Sequence, residues 1–277
     1  MWCFYNGQYV QTENLKISPF DHGFLYGLGV FETFRTYNGK TFLWDAHMAR
    51  LQRALDAYHI VLPYTSAELR DVIMQLNERE GGTDGYFRLN VSAGEAGIGL
   101  AKTQYTEPNV IVFRKPLELP PRGTEKNATW LQTVRNTPEQ AERFKSHHYA
   151  NNIVARFEVP SLKEIEGFFV NDKGFVAEGI TSNIFWAKDG TIYTPSLSTG
   201  ILAGITRQHI CTLVDVVEGE FTKEAVERAD ECFVTTSIQE IIPIRQLDDT
   251  TFLGNEGPIY QQVHAQYVAS IQKELAR

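Results

Sequence analysis

The chain has 277 residues, 43% hydrophobic and 22% charged, a balance that suits a globular protein and argues against disorder. Twenty-six basic residues against 34 acidic ones leave a formal charge of −8 with no long basic tract, which argues against a nucleic-acid partner. Apolar runs fall far short of the roughly 20 residues that span a bilayer, the N-terminus lacks a secretory pattern, and Cys3, Cys211 and Cys232 form neither a disulfide framework nor a zinc pattern; the expectation is a cytoplasmic protein with no membrane or metal partner.

Asn6-Gly7 and Asn38-Gly39 each stand between apolar runs and predict two-residue hairpin turns. The aromatic and Thr-rich run 31–37 predicts the strand entering the second hairpin. Asp45 is placed to cap a helix in which Met48, Leu51, Leu55 and Tyr58 have helical spacing. Thr65 and Glu68 have the spacing of a capping box, and Leu69, Val72, Ile73 and Leu76 follow as an apolar stripe that stops at Gly81-Gly82. Residues 85–91 and 110–114 read as strands. Three prolines in 115–123 disfavour helix and central strand alike, so 116–123 is expected to link an N-terminal domain, 1–115, to a C-terminal domain, 124–277. Beyond the linker, 129–133 reads as a strand and 146–158 as a helix, and hairpins turn at 171–174 and 188–190. Ile210, Leu213, Val214 and Val217 predict a helix, Thr222 caps another, and 231–235 reads as a strand. Tyr260, Val263, Tyr267, Ile271 and Leu275 mark one face of a terminal helix. Strands joined mostly by hairpins, with helices interspersed, predict two α+β domains.

Six features can carry chemistry, and each alone has an ordinary structural explanation. In Arg143-Phe-Lys145-Ser-His-His-Tyr149-Ala-Asn-Asn152 the lysine is a candidate amine nucleophile, activated if it is buried and starts a helix. The adjacent histidines do not share a helix face, which argues against a metal. Glu178 ends an apolar run and precedes a Gly/Thr/Ser/Asn loop, where a carboxylate can pair with a ring nitrogen and the loop can supply backbone donors. Gly204-Ile205-Thr206-Arg207 opens a helix, a ready anion site through its unpaired N–H groups and the helix dipole, though without a P-loop ending. Thr235-Thr236-Ser237 can complete an anion nest. Arg50, three residues after His47, can fork onto a phosphate. Arg88 lies inside an apolar strand and needs either a partner carboxylate or a substrate carboxylate.

A lysine, a carboxylate, two hydroxyl-bearing anion sites and an arginine make up the inventory that pyridoxal phosphate needs. The chain resembles the fold type IV pyridoxal-phosphate enzymes, which include branched-chain and D-amino-acid aminotransferases and aminodeoxychorismate lyases. The resemblance runs in order along nearly the whole chain, through Asp21-His-Gly-Phe-Leu-Tyr-Gly-Leu-Gly-Val-Phe-Glu-Thr-Phe-Arg35, the His47 helix, Lys145, Glu178, Gly204–Arg207 and Thr236-Ser237. It implies a two-domain α+β architecture like that of the D-amino-acid aminotransferases, and a homodimer. It also implies that Lys145 is the Schiff-base lysine, in the C-terminal domain, and Glu178 the pyridine-nitrogen partner. Arg50, Ser182, Asn183, Gly204, Ile205, Thr206, Thr236 and Ser237 are expected to complete the cofactor site, with Phe31, Thr33, Arg35, Arg88 and Tyr149 toward the substrate. Within the family, the runs around Lys145, at 18–27 and at 192–197 look most like the aminodeoxychorismate lyases of Gram-positive bacteria. Phe31 stands where D-amino-acid aminotransferases carry a tyrosine, and 94–100 lacks their Arg-x-His pair. The implied reaction turns 4-amino-4-deoxychorismate into 4-aminobenzoate, a folate precursor, and pyruvate; transamination is the alternative.

Overall fold

The computed structural model describes residues 1–100, 102 and 104–276. The chain divides into two compact units, Met1–Glu118 with Phe144–His148, and Leu119–Arg143 with Tyr149–Arg277.

The first unit contains β1 (Trp2–Tyr5), β2 (Gln8–Gln11), α1 (His22–Leu25), β3 (Gly29–Tyr37), β4 (Lys40–Thr41), α2 (Trp44–Ala57), α3 (Ser66–Arg79), β5 (Gly85–Ser92) and β6 (Asn109–Pro116). Asn6 and Gly7 take φ of 44° and 90°, and Asn38 and Gly39 take 49° and 79°. A tight hairpin needs these positive angles, and the two turns join β1 to β2 and β3 to β4. The sheet runs β2-β1-β6-β5-β3-β4, antiparallel throughout. Strand alternation sends Val30, Phe34, Phe87, Leu89, Val91, Val110 and Val112 into one core with Leu51, Leu55, Leu69, Ile73 and Leu76 of α2 and α3. The capping box at Thr65 and Glu68 is formed. Asp45 is not a cap. The helix starts one residue before it, after Leu43 at φ 55°, and Asp45 lies in the first turn, where its charge still suits the helix dipole. Pro116, expected in the linker, ends β6 by pairing with Gly85.

The segment Phe144–His148 differs most from its sequence reading, which placed it in the second domain as the start of a helix. It lies with the first unit. Ser146 bridges antiparallel to Val30. Phe31 N–H donates to the Lys145 carbonyl (2.8 Å), and His147 N–H donates to the Gly29 carbonyl (2.9 Å). These bonds hold the segment extended along the edge of β3, so the helix begins only at Ala150.

The second unit contains β7 (Lys126–Trp130), α4 (Ala150–Arg156), β8 (Ile165–Val170), β9 (Val176–Gly179), β10 (Asn183–Lys188), β11 (Thr191–Pro195), α5 (Ile205–Leu213), β12 (Val216–Gly219), α6 (Lys223–Glu227), β13 (Glu231–Thr236), β14 (Glu240–Leu247), β15 (Thr250–Thr251) and α7 (Pro258–Leu275). Its sheet runs β12-β11-β10-β13-β14-β7-β8-β9, with β15 on β14; β12 on β11, β7 on β14 and β8 on β7 are the parallel pairs. One core gathers Phe168, Val176, Ile184, Trp186, Val234, Ile242 and Ile244. Val217, expected on a helix, lies in β12, where a β-branched pair suits a strand better. The terminal helix buries Tyr260, Val263, Tyr267 and Ile271 as its stripe predicts. Among the described residues, no helix is long and apolar enough to cross a membrane.

Candidate active site

Alternation builds one face of the first unit. Phe31, Thr33 and Arg35 of β3 stand opposite Asn90, Arg88 and Tyr86 of β5. On the edge segment, Lys145 stands opposite Phe31 and His147 opposite Gly29, so the lysine and His147 share this face. Lys145 Nζ lies 4.6 Å from the centre of the Phe31 ring, and the Arg88 guanidinium carbon lies 3.6 Å from it. Two cations therefore meet one aromatic ring, an arrangement that favours both through its quadrupole. Arg88 Nε and Nη2 donate to Asn90 Oδ1 (3.3 and 3.2 Å), as does His147 Nε2 (3.0 Å). The strand does not bury Arg88, as the sequence suggested it would; it leaves the side chain half-exposed beside an amide. Arg35 stacks on Tyr37, 4.3 Å from its ring centre, and Thr33 is half-buried. His148 turns away from His147 toward Tyr58, and among the described residues no cluster of His, Cys, Asp and Glu could hold a metal.

On the opposite face of β3, alternation places Glu32 beside Val30 and Phe34, in the core. A carboxylate there requires partners, and α2 supplies them. Arg50 Nε and Nη2 donate to Glu32 Oε1 and Oε2 (2.7 and 2.6 Å), and His47 Nδ1 bonds Oε2 (2.7 Å). All three side chains are at most 5% exposed. Burial alone would raise the Glu32 carboxyl, but the Arg50 charge and the His47 and Arg50 hydrogen bonds outweigh it and hold it at about 2. Burial lowers His47, aided by Arg50 and Lys145 and opposed by Glu32. Arg50 thus grips Glu32 with Nε and Nη2.

In the second unit Glu178 is the last residue but one of β9, buried. Its Oε1 accepts from Arg135 Nε (2.8 Å) and Nη2 (2.7 Å), with Arg143 Nε at 3.8 Å, and its Oε2 accepts from Leu202 N–H (3.0 Å). Arg135 Nη1 donates to Asn151 and Asn152 Oδ1 (2.8 and 3.0 Å), and Asn152 Nδ2 donates to the Ile180 carbonyl (2.6 Å). The Asn-Asn pair that follows Tyr149 therefore orients the arginine that orients Glu178. Tyr149 itself heads α4, half-buried.

The start of α5 lies nearby in the same unit. Gly204 caps it with no side-chain hydrogen bond, ahead of buried Ile205 and Thr206. Asn183 Nδ2 donates to the Leu202 carbonyl (3.0 Å), and any Cβ on Gly204 would meet Asn183 Oδ1 at 1.9 Å. Asn183 also pairs with Thr235 of β13, which leads to Thr236 and Ser237. Thr236 Oγ1 accepts from the N–H groups of Ile238 and Gln239 (3.2 and 2.8 Å), and its hydroxyl proton is a further donor. Ser182 is buried beside Gly179, where a Cβ would meet its Oγ at 2.1 Å. The helix start without a side-chain cap, the glycine that admits no side chain and the Thr236 hydroxyl fit a phosphate, and the buried Glu178 fits the nitrogen end of a pyridinium.

Sequence reasoning missed Glu32, Asn90, Arg135 and Arg143. Glu32 had a signal, a charge on the apolar side of an alternating strand. Arg135 had none, since it sits in the irregular stretch after β7.

The model of the class IV amino-transferase family matches residues 29–247. The aminodeoxychorismate lyase of Bacillus subtilis is 42% identical over 260 residues, 91% of this chain and 88% of its own length. A putative branched-chain-amino-acid aminotransferase of Methanocaldococcus jannaschii is 34% identical (90% and 88%), and the D-alanine aminotransferase of Bacillus licheniformis is 30% identical (100% and 99%). Among solved structures, the branched-chain aminotransferase of Thermoproteus uzoniensis superposes with a TM-score of 0.88 at 27% identity, covering 99% of this chain and 96% of that one. Sequence, fold and a phosphate-fitting helix start agree: the chain belongs to the class IV aminotransferase family, with the α+β fold type IV architecture and pyridoxal phosphate as its cofactor.

Proposed function

We propose that the protein is a 4-amino-4-deoxychorismate lyase that releases 4-aminobenzoate and pyruvate. The observation that carries the reading is the graded similarity, 42% to a lyase against 34% and 30% to aminotransferases, each over nine-tenths or more of this chain. Phe31 and the 94–100 loop support it, because they lack the tyrosine and the Arg-x-His pair that mark the D-amino-acid enzymes in the family pattern.

Pyridoxal phosphate, when bound, supplies an electron sink for the carbon next to the substrate nitrogen. Lys145 holds the cofactor and acts as the base. It removes the proton from the ring carbon that bears the amine, the C–O bond to the enolpyruvyl group breaks, and the ring becomes aromatic. The departing enolpyruvate then takes a proton, returned by Lys145, and becomes pyruvate. No oxidant or acceptor is consumed. Glu178, held by Arg135, keeps the pyridine nitrogen protonated. Arg50, the start of α5 and Thr236-Ser237 hold the phosphate, with Ser182 and Asn183 lining the same loop. Thr33, Arg35, Phe31 and Tyr149 line the substrate side, and Arg88 receives a substrate carboxylate. Aromatisation supplies much of the driving force, so positioning and one base suffice.

The likeness to the aminotransferases favours a second reading, in which Lys145 moves its proton to a cofactor carbon instead. Turnover decides between the two. A lyase forms 4-aminobenzoate and pyruvate in equal amounts without a 2-oxo acid; turnover that requires such an acceptor overturns the reading. We further propose a homodimer working in the cytoplasm. Exposed Phe24, Ile98 and Leu100 support self-association, and three cysteines outside any disulfide suit a reducing compartment.

A further inference from the structure

We infer that Asn90 is a positioning residue for substrate recognition: its carboxamide oxygen, shared with His147, sets the Arg88 guanidinium over Phe31 so that it receives a substrate carboxylate beside Lys145. This rests on the function proposed above and names a residue that neither the sequence motifs nor the reaction chemistry singles out.

Three observations carry it. The first is chemical. Arginine only donates hydrogen bonds, so the Asn90 atom that meets Arg88 Nε and Nη2 is the oxygen. The same oxygen lies 3.0 Å from His147 Nε2, so that nitrogen carries the proton and donates. One amide oxygen thus takes donors from two elements, β5 and the edge segment that brings Lys145.

The second observation is the charge of the clamp. Arg50 is fixed by the Glu32 carboxylate and Arg135 by the Glu178 carboxylate, pairings that offset most of the positive charge. The contacts that Asn90 and Phe31 give Arg88 bring no charge with them, and the His147 imidazole braces the amide. His147 adds no charge of its own at neutral pH, because burial and the neighbouring Arg88 push it down to about 4. A neutral clamp holds a guanidinium in place without cancelling the charge that an anionic substrate needs.

The third is the backbone that makes room. A Cβ on Gly29 would meet the His147 ring at 2.4 Å, so the glycine lets the imidazole lie flat against β3 and reach Asn90 across it. Lys145 and His147 share one face through the same two hydrogen bonds to β3. Arg88, the lysine and the clamp are therefore set by one strand register.

The test compares two probes on the holoenzyme, 4-aminobenzoate and aniline, which differ by one carboxylate. The wild type is expected to bind the acid at least about tenfold better, the scale of a charge-assisted hydrogen bond. Asn90→Ala is expected to bring the ratio close to one and to raise KM about tenfold with kcat changed less than about twofold. Arg88→Met is expected to do the same to the ratio, and the double variant to lose nothing further. An unchanged ratio in Asn90→Ala, or losses that add in the double variant, overturns the assignment. If Asn90→Ala does not fold, Asn90→Asp keeps the shape and sets a negative charge against Arg88. The ratio must then fall, and an unchanged ratio overturns the assignment equally. Failure of the function shows separately, as wild-type turnover that requires a 2-oxo acid. In that case the same variants are compared on the 2-oxo acid and its methyl ester, where an unchanged ratio again overturns the role of Asn90.

Discussion

Glu32 shows how a single buried charge organises its surroundings. It accepts three hydrogen bonds from two residues of α2 and lies against Phe34 and the apolar core. Removing one partner of a buried ion pair leaves the other uncompensated, typically at a cost of about 3–5 kcal/mol. Glu32→Gln is therefore expected to lose stability on that scale at neutral pH, with a larger effect than Glu13→Gln at the surface, as measured by urea unfolding. The pH dependence has a definite sign. The carboxyl sits at about 2 in the folded protein against an ordinary 4.5, so its contribution is complete above about pH 4.5 and is lost as the pH falls through about 2. The gap between wild type and Glu32→Gln should narrow over that window; a constant gap would mean that the pair does not set the carboxyl.

At the scale of elements, the helices of the first unit and most hairpins were legible in the sequence, because they follow from local rules. The capping box at Thr65, the Asn-Gly turns and the stripe on α7 each write their geometry within a few residues. The edge segment was not legible. Lys145-Ser-His-His-Tyr149 leads into a helix, and the two backbone bonds that keep it extended come from Gly29 and Phe31, more than a hundred residues earlier. The partners of Arg88 and Glu178 were hidden for the same reason, since an amide or arginine side chain gains its role only when register brings it to a charge. The helix start proposed to hold the phosphate was readable as Gly204-Ile205-Thr206, but the reason for the glycine was not: Asn183 fills the space where a Cβ would stand. Gly204→Ala must move Asn183 off the Leu202 carbonyl or shift the start of α5. Cofactor affinity, measured by equilibrium dialysis, is expected to fall about tenfold, the scale of one displaced hydrogen bond. Retained affinity would show that this helix start does not carry the phosphate.

At the scale of the whole molecule, the first unit is discontinuous in sequence. The chain leaves it at Glu118, returns for Phe144–His148 and leaves again. The proline-rich stretch after β6 therefore looks like a boundary in the sequence, yet a chain cut there lacks the edge segment that bridges to β3. Phe144 packs on the core of that unit and meets Tyr58 edge-on at 5.6 Å, and Ser146 bridges to Val30. Losing one large, partly buried aromatic side chain and two backbone hydrogen bonds removes about 2–4 kcal/mol, a large share of what a domain of this size holds in reserve. Residues 1–118 alone should therefore melt at a lower temperature, by circular dichroism, than the same fragment with residues 144–148 rejoined through a flexible linker. Rejoining them with His147 replaced by proline should forfeit the gain, because proline lacks the N–H that donates to the Gly29 carbonyl. Equal melting of all three would mean that the edge segment adds nothing to the sheet, and that the placement of Lys145 is maintained by the second unit's chain on either side of it.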